Sequence, residues 1–179
     1  MLRIPIRPLL RVATLTLGMA CYTATAATAQ ATPLSEGRPV PGSLADGDTV
    51  RYTLELPDDG FLFGEVNQVS VDVDIRLLGP DGSQLRRFGG LGRGGERFFS
   101  RLDEGGAHTI EVIQAGDGAG AFEITIHRAE RLETDPKRLT DQLLSPFDGE
   151  DSPGAAVQVW RDGRTLYSKG YGMANLAYD

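Results

Sequence analysis

Between residues 49 and 126 apolar and polar side chains alternate along the chain in short runs. Val50, Tyr52, Leu54 and Leu56 alternate with Thr49, Arg51, Thr53 and Glu55. That is the period of a half-buried β-strand, whose successive side chains point to opposite faces. A second strand is expected over 61–66, after the turn residues Pro57-Asp58-Asp59-Gly60. Val71, Val73, Ile75 and Leu77 alternate with Asp72, Asp74 and Arg76, and Gly79-Pro80-Asp81-Gly82 ends that run with strong turn chemistry. Further strands are expected over 84–88, 97–102 and 109–114, and the last carries Phe122, Ile124 and Ile126 after a turn at 116–120. Seven or eight short strands at this spacing predict a mainly β fold, a β-sandwich with one wet face per sheet. The segment 37–132 is long enough to close a small core of its own.

Past Leu132 the period changes. Thr134-Asp135-Pro136 is a helix start, with a capping side chain followed by proline in the first turn. Leu139, Leu143, Leu144 and Phe147 fall on one helical stripe. A loop at 148–154 leads to two strands, 155–160 and 165–169, around Asp162-Gly163, a dipeptide suited to a type I′ hairpin turn. Pairing across that turn is expected to set Val159 opposite Leu166 and Trp160 opposite Thr165. Val157, Val159 and Leu166 would then share one face and Trp160 and Tyr167 the other, so both faces need cover. One short helix shields one face, and a lone hairpin is marginal in water. The tail therefore reads as the start of a larger unit, with an extension docked on the sandwich as the competing reading.

At the other end, Arg3, Arg7 and Arg11 precede an apolar stretch over 12–22 and a run of small residues to Ala31. This is the order of a secretory signal peptide, with A-x-A sites at 27–29 and 29–31. The apolar run falls short of the ~20 residues a spanning helix needs. Cleavage would remove three Arg and the single Cys21, taking the formal net charge from −7 to −10. The resulting chain is acidic and thiol-free, which suits a periplasm or the medium outside a bacterium, with no membrane span left after cleavage. A lipoprotein modified at Cys21 is the alternative. The acidic balance argues against nucleic acid as a partner, because phosphate contacts need a basic surface. The organisation expected is a signal peptide (1–31), a linker (32–36), the sandwich (37–132) and the helix–hairpin segment (133–179).

Two stretches resemble known families. The run Val50-Arg51-Tyr52-Thr53-Leu54, the strand and turn at 71–82, and the later 105–112 and 120–124 resemble the bacterial pre-peptidase C-terminal domain. That resemblance implies a jelly-roll-like sandwich attached to secreted hydrolases and without catalytic residues of its own. Residues 152–163, ending in Trp160-Arg161-Asp162-Gly163, and then Lys169-Gly170-Tyr171-Gly172-Met173-Ala174-Asn175-Leu176, resemble the opening of the serine β-lactamase superfamily, on the class C β-lactamase and D-alanyl-D-alanine carboxypeptidase branch. The implied fold is an α+β domain with a central antiparallel sheet, of which the helix and hairpin would be an incomplete first part. The implied chemistry is acyl transfer by a Ser-x-x-Lys pair lying downstream of Asn-Leu, on a peptide, ester or β-lactam substrate.

The chain's own chemistry-bearing residues do not supply that pair. None of Ser35, Ser43, Ser70, Ser83, Ser100, Ser145, Ser152 and Ser168 has Lys three residues later, and Ser168 and Lys169 are adjacent, on opposite faces of a strand. A Ser-His-Asp arrangement would need His108 or His127 beside a buried acid; both are expected at the surface, near strand ends. The run 90–95 satisfies G-x-G-x-x-G, but a phosphate-binding loop must open a helix and Arg97-Phe98-Phe99 reads as strand, so a hairpin loop is expected there. Asp72, Asp74, Asp81 and Asp117 offer oxygens to calcium without EF-hand spacing, and a solvated face is the default. No catalytic, cofactor-binding or metal-ligating residue is assigned, and no cofactor is expected. Two functional readings remain: the front end of an exported serine hydrolase with an accessory sandwich, its reacting residues outside these 179, or a complete small secreted binding module without enzymatic activity.

Overall fold

Two sheets carry the chain from Thr32 to Arg131 in the computed structural model, which describes residues 31–90, 94–150, 152 and 154–173. The expected signal peptide and the Asn175-Leu176 pair lie outside the described residues. The strands are β1 (Thr32–Pro33), β2 (Val40–Leu44), β3 (Thr49–Leu56), β4 (Gly60–Asn67), β5 (Asp72–Leu78), β6 (Gln84–Phe88), β7 (Gly95–Leu102), β8 (Gly106–Ala115) and β9 (Gly120–Arg131). One sheet has the order β1-β3-β8-β5-β6 and the other β2-β9-β4-β7, so the chain changes sheet at nearly every turn from β2 to β9. All pairings are antiparallel except β1 on β3.

The alternation read from the sequence becomes the core. Tyr52, Leu54, Val73, Ile75, Leu77, Ile110 and Val112 of the first sheet face Leu62, Val66, Phe98, Phe122, Ile124 and Ile126 of the second, all buried in one cluster. Each such side chain, removed from water, contributes about 1.5–3 kcal/mol. Two strands were missed. In β2, Pro41 and Gly42 break any alternation, and the strand is an edge, where proline is tolerated because one side of the ladder is unpaired. The segment expected as a linker, 32–36, instead joins the sandwich: Thr32 and Pro33 pair with Tyr52 and Thr53, Leu34 is buried in the core, and Glu36 bridges to Ile126.

The outer faces are not uniformly wet. On β4, Phe61 and Phe63 are buried although they lie opposite the core-facing Leu62. The residues after the sandwich supply cover there. The helix α1 (Pro136–Leu144) starts at Asp135, whose carboxylate accepts from the amides of Lys137 and Arg138, and a 3-10 turn (Ser145–Phe147) follows. Phe147 packs edge-on against Phe99 of β7, the cross-strand neighbour of Phe63, at 5.6 Å between ring centres. Gln142 is buried at the end of β9: its amide nitrogen donates to the Arg131 carbonyl and to Glu130, and its oxygen accepts from the Glu133 amide. The leucines of the expected stripe, Leu139, Leu143 and Leu144, are only half-buried.

On the outer face of the first sheet a carboxylate is folded under two guanidinium groups. Glu111 on β8 is 3% exposed; Arg51 from β3 donates to it at 2.8 Å and Arg76 from β5 at 2.6 Å. The three residues are direct cross-strand partners, Arg51 with Glu111 and Glu111 with Arg76, so register alone brings them together. Burial would raise the Glu111 carboxyl, but the hydrogen bonds and charges of Arg76 and Arg51 outweigh it and hold the group below its ordinary value. A carboxyl lowered on folding stabilises the native state fully above its unfolded value, near 4.5, and that contribution is lost as the pH falls through the lower folded value. Glu111→Gln is therefore expected to cost about 2 kcal/mol at pH 7, below the figure for a wholly buried pair because both arginines remain partly hydrated. In urea melts the difference from the parent should shrink steadily below pH 4.5, as the parent protonates.

Candidate functional site

Strands β6 and β7 are the free edges of their respective sheets, and between them the sandwich is open. They are consecutive in sequence but do not pair, which corrects the hairpin expected around 90–95: the segment crosses from one sheet to the other, and β7, not a helix, begins at Gly95. Residues 91–93 of that motif lie outside the described residues. At the end of this seam near the β5–β6 turn lies a cleft of about 330 Å³. Its walls include Asp81 and Arg86 on one sheet and Ser100, Arg101, Asp103 and Glu104 on the other, and His108 contributes to its lining.

The surface position expected for His108 is wrong. The residue is 1% exposed and sits opposite Leu54 on the inner side of β8, in step with Ile110 and Val112. Its Nδ1 lies 3.0 Å from the Gly106 carbonyl, which can only accept, so Nδ1 carries a proton. His108 also contributes to the lining of the cleft. Ser100 lines the same cleft, but its hydroxyl donates to the Arg101 carbonyl at 3.0 Å, and a carbonyl rather than a carboxylate orients the imidazole. The pair therefore lacks the acid that a Ser-His-Asp relay requires.

The other candidates do not converge. His127 is on the outer side of the second sheet, stacked at 4.8 Å on Phe63 and 3.9 Å from Glu65. It borders a cleft of about 490 Å³ that the 3-10 turn forms with β4, β7 and β9. Asp72 and Asp74 occupy one end of β5 and Asp81 the turn beyond its other end, roughly 20 Å away at the rise of an extended strand. Asp74 is paired with Arg87, and Asp81 is tied to the Ser83 amide. Burial, together with the charges of Asp74 and Asp72, pushes the Glu96 carboxyl up. Among the described residues no group of three His, Cys, Asp or Glu side chains could hold a metal ion. No helix among them is long and apolar enough to cross a membrane.

A second polar cluster joins α1 to the hairpin of β10 (Ala155–Arg161) and β11 (Arg164–Tyr171). Asp162 and Gly163 both have positive φ, 52° and 72°, as the type I′ turn requires. Trp160 faces Thr165 as expected, but Val159 faces Tyr167, because a bulge at Leu166 shifts the register by one. That slip moves Tyr167 to the side of Val157, Lys169 and Tyr171. One oxygen of Asp141 then accepts from Tyr167 at 2.7 Å, Tyr171 at 2.7 Å and Lys169 at 2.8 Å, while the two hydroxyls lie 2.6 Å apart. The hydrogen bonds from Lys169, Tyr171 and Tyr167 hold Asp141 well below the usual carboxylate range, and burial with the bond to Tyr167 pushes Tyr171 far above the usual phenol range. Asp141 is thus charged and Tyr171 neutral at pH 7, which suits a structural clamp. Lys169 is committed to Asp141 and Ser168 faces Gln158, so the adjacent pair stays apart. Sequence reading missed this cluster because the bulge that assembles it leaves no mark on the alternation.

No family model matches the chain, and no curated protein matches it. Solved structures do resemble its sandwich half. The pre-peptidase C-terminal domain of a collagenase from Bacillus anthracis superposes with a TM-score of 0.43 at 18% identity, over 54% of this chain and 94% of that one. PliG from Aeromonas hydrophila, a periplasmic inhibitor of g-type lysozyme, gives 0.40 at 20% identity, over 54% and 95%. The CspB protease of Clostridium perfringens gives 0.37 at 16% identity, over 53% of this chain and 27% of the protease.

Proposed function

We propose that this chain is the exported front end of a serine hydrolase related to the β-lactamases and D-alanyl-D-alanine carboxypeptidases, in which the sandwich is an accessory module. The observation that carries the reading is the hairpin. Val159 is 45%, Trp160 67% and Leu166 47% exposed, so apolar side chains stand uncovered on both strands. Tyr167, Lys169 and Tyr171 of the hairpin bond to Asp141 of the helix, and among the described residues no hairpin side chain bonds to the sandwich. A helix clamped to one side of a two-strand ribbon, with the other side open, is half of a layered α+β arrangement. The resemblance of 152–163 and 169–176 to the start of the β-lactamase-like fold names the domain that would complete it. Export follows from the leader-like start, and β1 begins at Thr32, directly after the second A-x-A site.

The second reading, a self-contained secreted binding module, is favoured by the docking of Phe147 on Phe99 and of Gln142 on the end of β9. Labelling of the native polypeptide in its source organism separates the two. The hydrolase reading expects a secreted protein larger than 19.3 kDa, beginning at Gln30 or Thr32, that is acylated by a fluorescent penicillin or fluorophosphonate at the serine of a Ser-x-x-Lys. The 179-residue chain alone should remain unlabelled. A native polypeptide with no Ser-x-x-Lys, or labelling at one of the serines in these residues, overturns it.

A further inference from the structure

The residues that follow the second A-x-A site are built into both sheets. Thr32 and Pro33 pair with Tyr52 and Thr53 at the edge of the first sheet, and the Leu34 amide donates to the Thr53 carbonyl at 2.8 Å. Leu34 itself is 8% exposed, in the core. The chain then crosses to the second sheet. The Gly37 amide donates to the Ile126 carbonyl at 2.8 Å, the Glu36 carboxylate accepts from the Ala129 amide at 3.3 Å, and β2 runs along β9 from Val40. Residues 32–37 thus form a strap across the margin of the sandwich opposite the β6–β7 seam.

Removal of the leader is hydrolysis of the peptide bond after Ala29 or Ala31, which leaves a carboxylate on the leader and an ammonium on the shortened chain. The peptidase must hold several residues on either side of that bond extended, with their backbone groups free to pair with its own cleft. Past the bond those residues include Thr32 to Leu34. When the strap is docked, Thr32 and Pro33 are already paired with β3, and lifting them withdraws Leu34 from the core. No spacer separates the bond from the fold, and Ala31 is itself half-buried. We propose that docking of this strap and removal of the leader compete, so that the leader is cut only from a chain whose strap is still undocked. On the export reading, on which this rests, the precursor is cut while the sandwich is open and loses that competence as it closes.

The test uses the 179-residue precursor in detergent micelles with a bacterial leader peptidase, read by gel shift and N-terminal sequencing. Precursor diluted from urea together with the peptidase should be cut to a chain beginning at Gln30 or Thr32. Precursor folded beforehand should be cut at least ~100-fold more slowly, because the bond is reached only in the fraction of molecules whose strap has opened. Leu34→Ala, which loosens the strap, should raise the rate on folded precursor about tenfold. A flexible spacer of ~10 residues between Ala31 and Thr32 leaves the fold untouched and should bring the folded rate up to the unfolded one. It keeps the test decisive if Leu34→Ala unfolds. Equal rates on folded and unfolded precursor overturn the proposal and leave the leader reading standing, and so does a spacer that changes nothing. A precursor cut in neither state removes the leader reading and the proposal with it. None of these outcomes depends on whether a Ser-x-x-Lys follows the hairpin.

Discussion

Ile75→Asp is expected to unfold the sandwich in buffer, while Val157→Asp in the hairpin leaves it folded. Ile75 is fully buried between the sheets, flanked on β5 by Val73 and Leu77 and across the ladder by Val112. A carboxylate there would have no cation and no hydrogen-bond donor among the apolar side chains around it. Its desolvation costs several kcal/mol in addition to the lost packing of the isoleucine. A domain of this size holds on the order of 5–15 kcal/mol in total, so the loss consumes most or all of it. Val157 is half-buried on a ribbon whose neighbours include Lys169. Far-ultraviolet circular dichroism and urea titration of the two variants give the comparison. Equal loss in both would make the tail integral to the sandwich, and the proposal of a separate domain would fail with it.

Gly105→Ala is expected to be nearly as damaging, although the residue lies in a loop. A methyl group built at Gly105 would stand 2.5 Å from the Asp58 nitrogen, 2.8 Å from the Pro57 carbonyl carbon and 2.9 Å from the Leu56 oxygen. All three are backbone atoms and cannot swing aside as a side chain can. The loop before β8 is also tied to that turn by the bond from the Gly105 amide to Asp58, 2.8 Å. Relieving the clash means parting two turns that hold β3, β4 and β8 together, at an expected cost of about 2–4 kcal/mol. Gly170→Ala is the control, since a methyl group there meets nothing within 4 Å and φ is not positive. It should be neutral or slightly stabilising in thermal melts, through loss of freedom in the unfolded chain.

Most of the sandwich was written in its alternation. The strands at 49–56 and 71–77 emerged where strict period two placed them, because each has one face in the core. The same rule could have placed His108 inside, two positions before Ile110, had its polarity not been allowed to outweigh its register. The run Gly-Phe-Leu-Phe-Gly at 60–64 carried a different signal: consecutive apolar residues mean burial on both faces, and on the outer one Phe63 stacks on His127 while its cross-strand neighbour Phe99 packs on Phe147. The seam cleft had no sequence signature, because its residues come from three stretches, 79–86, 100–104 and His108, that the sheet-to-sheet crossings bring together. The Asp141 clamp depended on a bulge, and bulges follow from local ladder geometry that a hydrophobic pattern does not encode.

The two-residue strand at Thr32–Pro33 changes what one edge of the first sheet offers to another chain. Without it β3 would be a bare margin of eight residues, a template on which a second chain could continue the sheet. With it Tyr52 and Thr53, in the middle of that margin, are paired, and Pro33 has no N–H to offer an incoming strand. A fragment begun at Gly37 would expose that template and also lose Leu34 from the core. Such a shortened version is expected to self-associate at concentrations where one begun at Thr32 stays monomeric, which sedimentation velocity would read.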